Sequence, residues 1–113
     1  MTASVQITYR DMDPSDAVNR IIHKKAARLD GIFSGITGCR VVVESPHKSH
    51  RHGNKFRVAI DLSVPGQELV VGRDGTAAPE HEDVYAAVND AFRAAERQLK
   101  SYADRLQDRG TGS

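Results

Sequence analysis

From Val84 to Leu106 apolar residues return every three or four positions: Tyr85, Val88, Phe92, Ala95, Leu99, Tyr102 and Leu106. That spacing lays them along a single stripe of an α-helix. The helix is expected to reach about Arg109, before Gly110, and at 1.5 Å per residue it would be roughly 40 Å long. Its last turns should overhang whatever the stripe packs on. Arg93, Arg97 and Lys100 fall on the opposite side at i, i+4 and i+7, pointing to solvent as a line of positive charge. Glu80, Glu82 and Asp83 make the start acidic, as the positive end of a helix dipole favours. One side builds a core, and the other can grip something anionic.

A second helix near the N-terminus repeats the arrangement. Asp13 or Ser15 can cap it, and Pro14 suits a first-turn position because its φ is fixed and it lacks an N–H. It should run to about Asp30 and end near Gly31. Val18, Ile21, Ile22 and Leu29 form its apolar stripe, with Ile32 and Phe33 just beyond. Arg20, Lys24 and Arg28 run along its flank at i, i+4 and i+8, while Lys25 sits at the stripe's edge, where its stem can pack and its charge reach water.

The remaining apolar residues alternate as strands do. Val5, Ile7 and Tyr9 make a first strand, Cys39 to Ser45 a second, and Phe56, Val58, Ile60, Leu62 and Val64 a third. Val64-Pro65-Gly66-Gln67 is a turn, with proline setting φ at its second position and glycine accepting φ > 0 at its third. Leu69 to Gly72 returns as a fourth strand, and Arg73 to Pro79 is a polar loop. The order is β-α-β-β-β-α. Four strands and two helices make an α+β two-layer sandwich, with both helices on one face of the sheet. Since both stripes must face the sheet, both basic lines come to one outer side. The expected organisation is a single domain over residues 1–109 followed by a short tail at 110–113.

Net charge over the 113 residues is only +1, yet charge is unevenly distributed. Arg40, Lys48, Arg51, Lys55 and Arg57 face one acid, Glu44, within residues 40–57. From Asp61 to Asp90 seven acids accompany the single Arg73. Within a Debye length of about 8 Å, such local potential governs partners more than the sum does. No apolar run approaches the roughly 20 residues that span a bilayer, so no membrane partner is expected. Cys39 is alone, which fits a reducing cytoplasm and the role of a small buried hydrophobe.

Several motifs invite a chemical reading. His47, His50 and His52 stand beside Lys48 and Arg51 in PHKSHRHGN, but a histidine-only loop lacks the cysteine or carboxylate partners of strong metal sites. A basic loop reaching for phosphates, more charged at acidic pH, is the better reading. Gly35-Ile36-Thr37-Gly38 spells the GxxG of a KH domain, but here it joins a helix to a strand and reads as a turn. An RRM would need βαββαβ order and stacking aromatics. No Ser/His/Asp or Cys/His constellation is present, so no enzyme, cofactor, metal or small-molecule substrate is expected.

With that order in place, the segments DAVNRIIHKKAARLDGIF (16–33), IDLSVPGQELVV (60–71) and HEDVYAAVNDAFRAAERQL (81–99) resemble the ribosome hibernation family. This family includes the hibernation-promoting factor and ribosome-associated inhibitor A, formerly the sigma-54 modulation protein, and the chain resembles its short form. The resemblance runs from Val5 to about Tyr102, and Asp83 to Val88 is its most specific piece. It implies a fold similar to double-stranded RNA-binding domains. It also implies binding to ribosomal RNA of the small subunit, between head and body, where family members block mRNA and tRNA. Lys25, Arg28 and Arg97 match basic family positions, whereas Arg20, Lys24, Arg93 and Lys100 are added by the charge pattern. Lys48, Arg51 and Lys55 would form a secondary basic arm. The chain departs from the pattern at Ala94, where many relatives carry lysine, at Asn89, where many carry aspartate, and in Asp11-Met12-Asp13-Pro14, which lacks a Gly-Arg pair. The second, dimer-forming domain of long family members is not expected, so joining two ribosomes by itself is not expected either.

The expected function is therefore that of a cytoplasmic, non-enzymatic translation inhibitor. Two alternatives remain open at this point. One is a regulator acting through proteins, using Tyr102 and Leu106 as a stripe on the overhanging helix. The other is a general double-stranded RNA binder.

Overall fold

The computed structural model describes residues 4–47, 55–72 and 83–112. Its elements are β1 (Ser4–Arg10), α1 (Asp16–Ile32), β2 (Gly38–His47), β3 (Lys55–Val64), β4 (Gln67–Val71) and α2 (Val84–Gly112). The sheet order is β1-β2-β3-β4. β1 pairs in parallel with β2, Val5 opposite Cys39 and Tyr9 opposite Val43. The other two pairings are antiparallel, with Val41 opposite Ile60 and Leu62 opposite Leu69. The expected α+β sandwich is what forms.

Strand alternation sorts the sheet into two chemistries. Cys39, Val41, Val43, Val58, Ile60, Leu62, Val64, Leu69 and Val71 are buried. They join Val18, Ile22, Ala26 and Leu29 of α1 and Val88, Phe92, Ala95 and Leu99 of α2 in one core. Both helices therefore pack on the same face. They also run in the same direction, because Arg28 meets Glu96 and, further along both, Phe33 meets Tyr102. The opposite face carries Arg40, Arg57, Glu44 and Asp61. There Arg40 reaches Asp61 at 3.9 Å and Glu68 at 3.5 Å, and Arg57 reaches Glu44 at 3.8 Å. The two described arginines of the basic segment 40–57 are thus paired with acids and turned away from the helices.

Local chemistry explains the ends of the elements. Asp11, at φ 58, breaks β1; the left-handed region tolerates aspartate better than most residues. Ser15, not Asp13, caps α1, its Oγ accepting the Val18 N–H at 3.2 Å. Pro14 accordingly precedes the cap and is not in the first turn. The Tyr9 hydroxyl ties β1 to this corner, 2.7 Å from Asn19 Oδ1 and 3.1 Å from the Ser15 carbonyl. Gly31 does not stop α1. The helix ends one residue later, and extended Phe33 donates its N–H to the Leu29 carbonyl at 3.1 Å. The Phe33 ring then meets Tyr102 edge-on at 5.2 Å. A side chain at Gly35 would strike that same ring, its Cβ 2.7 Å from it, so the GxxG stretch is a tight turn under Phe33. Gly66, at φ 85, makes the expected hairpin turn.

The long helix departs from expectation at both ends. Asp83 lies just before it, taking the Tyr85 N–H on Oδ1 at 2.9 Å, so it is a cap and not a first-turn residue. Tyr85 and Leu106, the outermost members of the stripe, are 41% and 38% exposed, and Ala87 and Ala91 are buried instead. The helix continues through Gly110 to Gly112, since glycine lowers helix propensity by about 1 kcal/mol without removing the backbone donor as proline would. Tyr102 is buried, and its hydroxyl donates to the Pro65 carbonyl at 2.7 Å. It pins α2 to the β3–β4 turn and is not an exposed interaction stripe.

Removing either anchor should cost measurable stability. Ser15→Ala should lower the free energy of unfolding by about 1 kcal/mol, and Tyr102→Phe by about 1 kcal/mol through its lost hydrogen bond. Urea unfolding checks both, with Arg97→Glu as an exposed control expected to stay within about 0.5 kcal/mol of the parent.

A candidate nucleic-acid interface

The outer surface of the helix layer gathers the cations of both lines. Arg20, Lys24 and Arg28 follow one another at one-turn intervals on the exposed side of α1. Lys25 is half-buried on the flank toward α2, within electrostatic reach of Glu96. Arg93, Arg97 and Lys100 are exposed on α2. The sheet positions all seven, because each helix commits its apolar stripe to the core and leaves its remaining side to water.

Among the described residues, carboxylates pair with these cations at two points. Glu96 lies between the helices, with Oε1 3.4 Å from Arg28 Nε and Oε2 3.1 Å from Lys100 Nζ. The hydrogen bond from Lys100 holds its carboxyl below the usual range, partial desolvation opposes this, and the charges of Lys100, Arg28 and Lys25 add to it. Asp90 reaches Arg93 at 3.7 Å, one turn away on the same helix. The basic lines are therefore interrupted by acids. The face is still not neutralised: among the described residues no carboxylate pairs with Arg20, Lys24, Lys25 or Arg97.

The Glu96–Lys100 contact was readable from i, i+4 spacing. Its contact with Arg28 was not, since it depends on how the two helices lie together. Lys48 and Arg51 of the secondary arm lie outside the described residues, as do His50, His52 and residues 73–82, Glu80 and Glu82 among them. Lys55 begins β3, but its side chain also lies outside them.

Cys39 lines a cavity of about 230 Å³ between β1 and α1, with His23 and Asp30 among its other walls. Burial, then the negative charges of Asp30 and Asp61, push its thiol from 9.0 up to about 11. That is the reverse of what a nucleophile requires. Among the described residues, no group of three or more His, Cys, Asp or Glu side chains is arranged to hold a metal ion. No helix in them is long and apolar enough to cross a membrane.

Fold and surface together define a small βαβββα domain that presents a cationic two-helix layer. Residues 5–107 match the family described as sigma 54 modulation protein / S30EA ribosomal protein, and the chain belongs to that family. It is 29% identical over 108 residues to the ribosome hibernation promoting factor of Azotobacter vinelandii, covering 96% of this chain and 90% of that one. It is 28% identical over 100 residues to the ribosome hibernation promotion factor of Deinococcus radiodurans, covering 88% of this chain but only 49% of the relative. The chain thus spans about half the length of that longer protein. Among solved structures, the N-terminal domain of Thermus thermophilus Protein Y superposes with a TM-score of 0.68 at 28% identity, covering 90% of this chain and 99% of that one. A ribosomal subunit interface protein of Coxiella burnetii shares the fold, with a TM-score of 0.72 at 22% identity, covering 89% of this chain and 98% of that one.

The thiol assignment has a direct check. Cys39 should resist an aromatic disulfide reagent at pH 8 in the native protein and react at once in denaturant. Because its folded pKa is raised, the stabilisation from keeping it protonated is full below pH 9 and is lost as pH rises toward 11. Unfolding midpoints measured across that window should fall.

Proposed function

We propose that this protein is a cytoplasmic ribosome hibernation factor, non-enzymatic, that binds small-subunit ribosomal RNA through the outer face of α1 and α2. Bound there, it would occupy the path of mRNA and tRNA and silence idle ribosomes. One observation carries the reading: seven cations share one outer layer with two interposed carboxylates, on a chain whose relatives are named for ribosome hibernation. Arg20, Lys24, Lys25, Arg28, Arg93, Arg97 and Lys100 are the residues assigned to phosphate contact. Lys48, Arg51 and Lys55 are assigned to a secondary arm.

The physics of this assignment favours backbone contact over base reading. Lysines and arginines on an exposed two-helix surface meet phosphates, which fix position and orientation while carrying no sequence information. Specificity would then come from the shape of the ribosomal cleft. The general double-stranded RNA reading differs in one measurable respect, since it requires arbitrary duplexes to compete with the subunit. The protein-partner reading loses its main residue, because Tyr102 is buried.

Replacing Lys25, Arg28 and Arg97 together by glutamate should abolish co-sedimentation with purified small subunits while leaving the circular dichroism spectrum unchanged. Wild-type binding should weaken steeply with salt, and each single charge removal should flatten the log–log slope by roughly 0.7–0.9. A triple variant that still pellets like the wild type would place the interface elsewhere.

A further inference from the structure

We infer that Glu96 is a positioning residue of this interface: its carboxylate spans the two helices and holds Arg28 and Lys100 side by side for neighbouring phosphates. This rests on the reading of the helix layer as an RNA surface and assigns that surface an internal organiser.

The geometry divides the carboxylate between two partners. Oε2 accepts a hydrogen bond from Lys100 Nζ at 3.1 Å, and Oε1 forms an ion pair with Arg28, 3.4 Å from its Nε. Glu96 is 25% exposed, against 76% for Arg28 and 59% for Lys100. The acid therefore lies low between the helices with the cations above it, and an arriving phosphate meets the cations first. Arg28 approaches the carboxylate with its Nε edge, so its two terminal amino groups stay uncommitted, and an ammonium with one acceptor keeps two further donors. Those remaining donors suit phosphate oxygens.

Two effects of Glu96 compete. Its negative charge repels phosphate, while its contacts restrict two long side chains that would otherwise be ordered at the expense of binding. The repulsion is offset locally by two bonded cations and by Lys25 nearby, and salt screens what is left. Restriction of Arg28 and Lys100 acts at contact distance, well inside a Debye length of about 8 Å, and is screened less than the longer-range repulsion. Preorganisation should win.

The test measures dissociation constants for purified small subunits over a range of potassium chloride concentrations. Glu96→Ala should weaken binding about fivefold although it makes the surface more positive, a size typical of coupling between contacting residues. It should also flatten the salt slope by up to about two contacts' worth, each roughly 0.7–0.9. Glu96→Gln, equal in shape but able to accept from only one cation, should weaken binding about twofold, and it gives the same sign if the alanine variant is unstable. In an Arg28→Gln/Lys100→Gln background, Glu96→Ala should leave binding unchanged or tighten it, since only repulsion remains. Tighter or equal binding by Glu96→Ala and Glu96→Gln in the otherwise wild-type protein would overturn the role of Glu96 alone. A wild type that fails to bind subunits would overturn the interface itself, and this inference with it.

Discussion

Burial of two apolar helix stripes against one face of a single sheet is the constraint from which the rest of the molecule follows. Val18, Ile22 and Leu29 on α1 and Val88, Phe92, Ala95 and Leu99 on α2 meet the inward residues of β2, β3 and β4 in one core. A helix with its stripe committed has only its far side left for solvent. Two such helices, side by side and running the same way, make one outer layer. The cations of that layer need no interaction with each other to be gathered, because the core gathers them.

The charges themselves contribute little to holding the fold together. Arg28, Arg93 and Lys100 are largely exposed in their ion pairs, and exposed pairs of this kind contribute about 0–1 kcal/mol. They are available to an external anion for the same reason. On the other side of the sheet the pattern differs: Arg40 and Arg57 lie across from acids on neighbouring strands. A chain of net charge +1 thereby separates a cationic helix layer from a strand face where opposite charges are matched.

Much of this was legible in the amino-acid order. The periods of three-to-four and of two, and the Pro65-Gly66 turn, fixed the element order and the sidedness of the helices, because both rest on local geometry. The helix caps and the run through Gly110 turned on local chemistry, whereas other misreadings came from a tertiary contact that overrode a local signal. Gly31 looks like a helix stop, but the chain ends α1 where Phe33 can pack on Tyr102. Tyr102 looks like the start of an overhanging stripe, but the β3–β4 turn reaches up to take its hydroxyl. Tyr85 keeps the period yet is 41% exposed, while Ala87 and Ala91 are buried. The i, i+4 spacing of Glu96 and Lys100 lies in the sequence, whereas the bridge to Arg28 required the packing of one helix on another.

The proposed function requires one orientation, with the α1–α2 exterior turned toward ribosomal RNA. A cryo-EM reconstruction of the protein on the small subunit reads that orientation. RNA backbone density is expected against Lys24, Arg28 and Arg97, with Thr8 and Arg40 on the strand face turned away. A complex in which the strands face the RNA and the helices face solvent would contradict it.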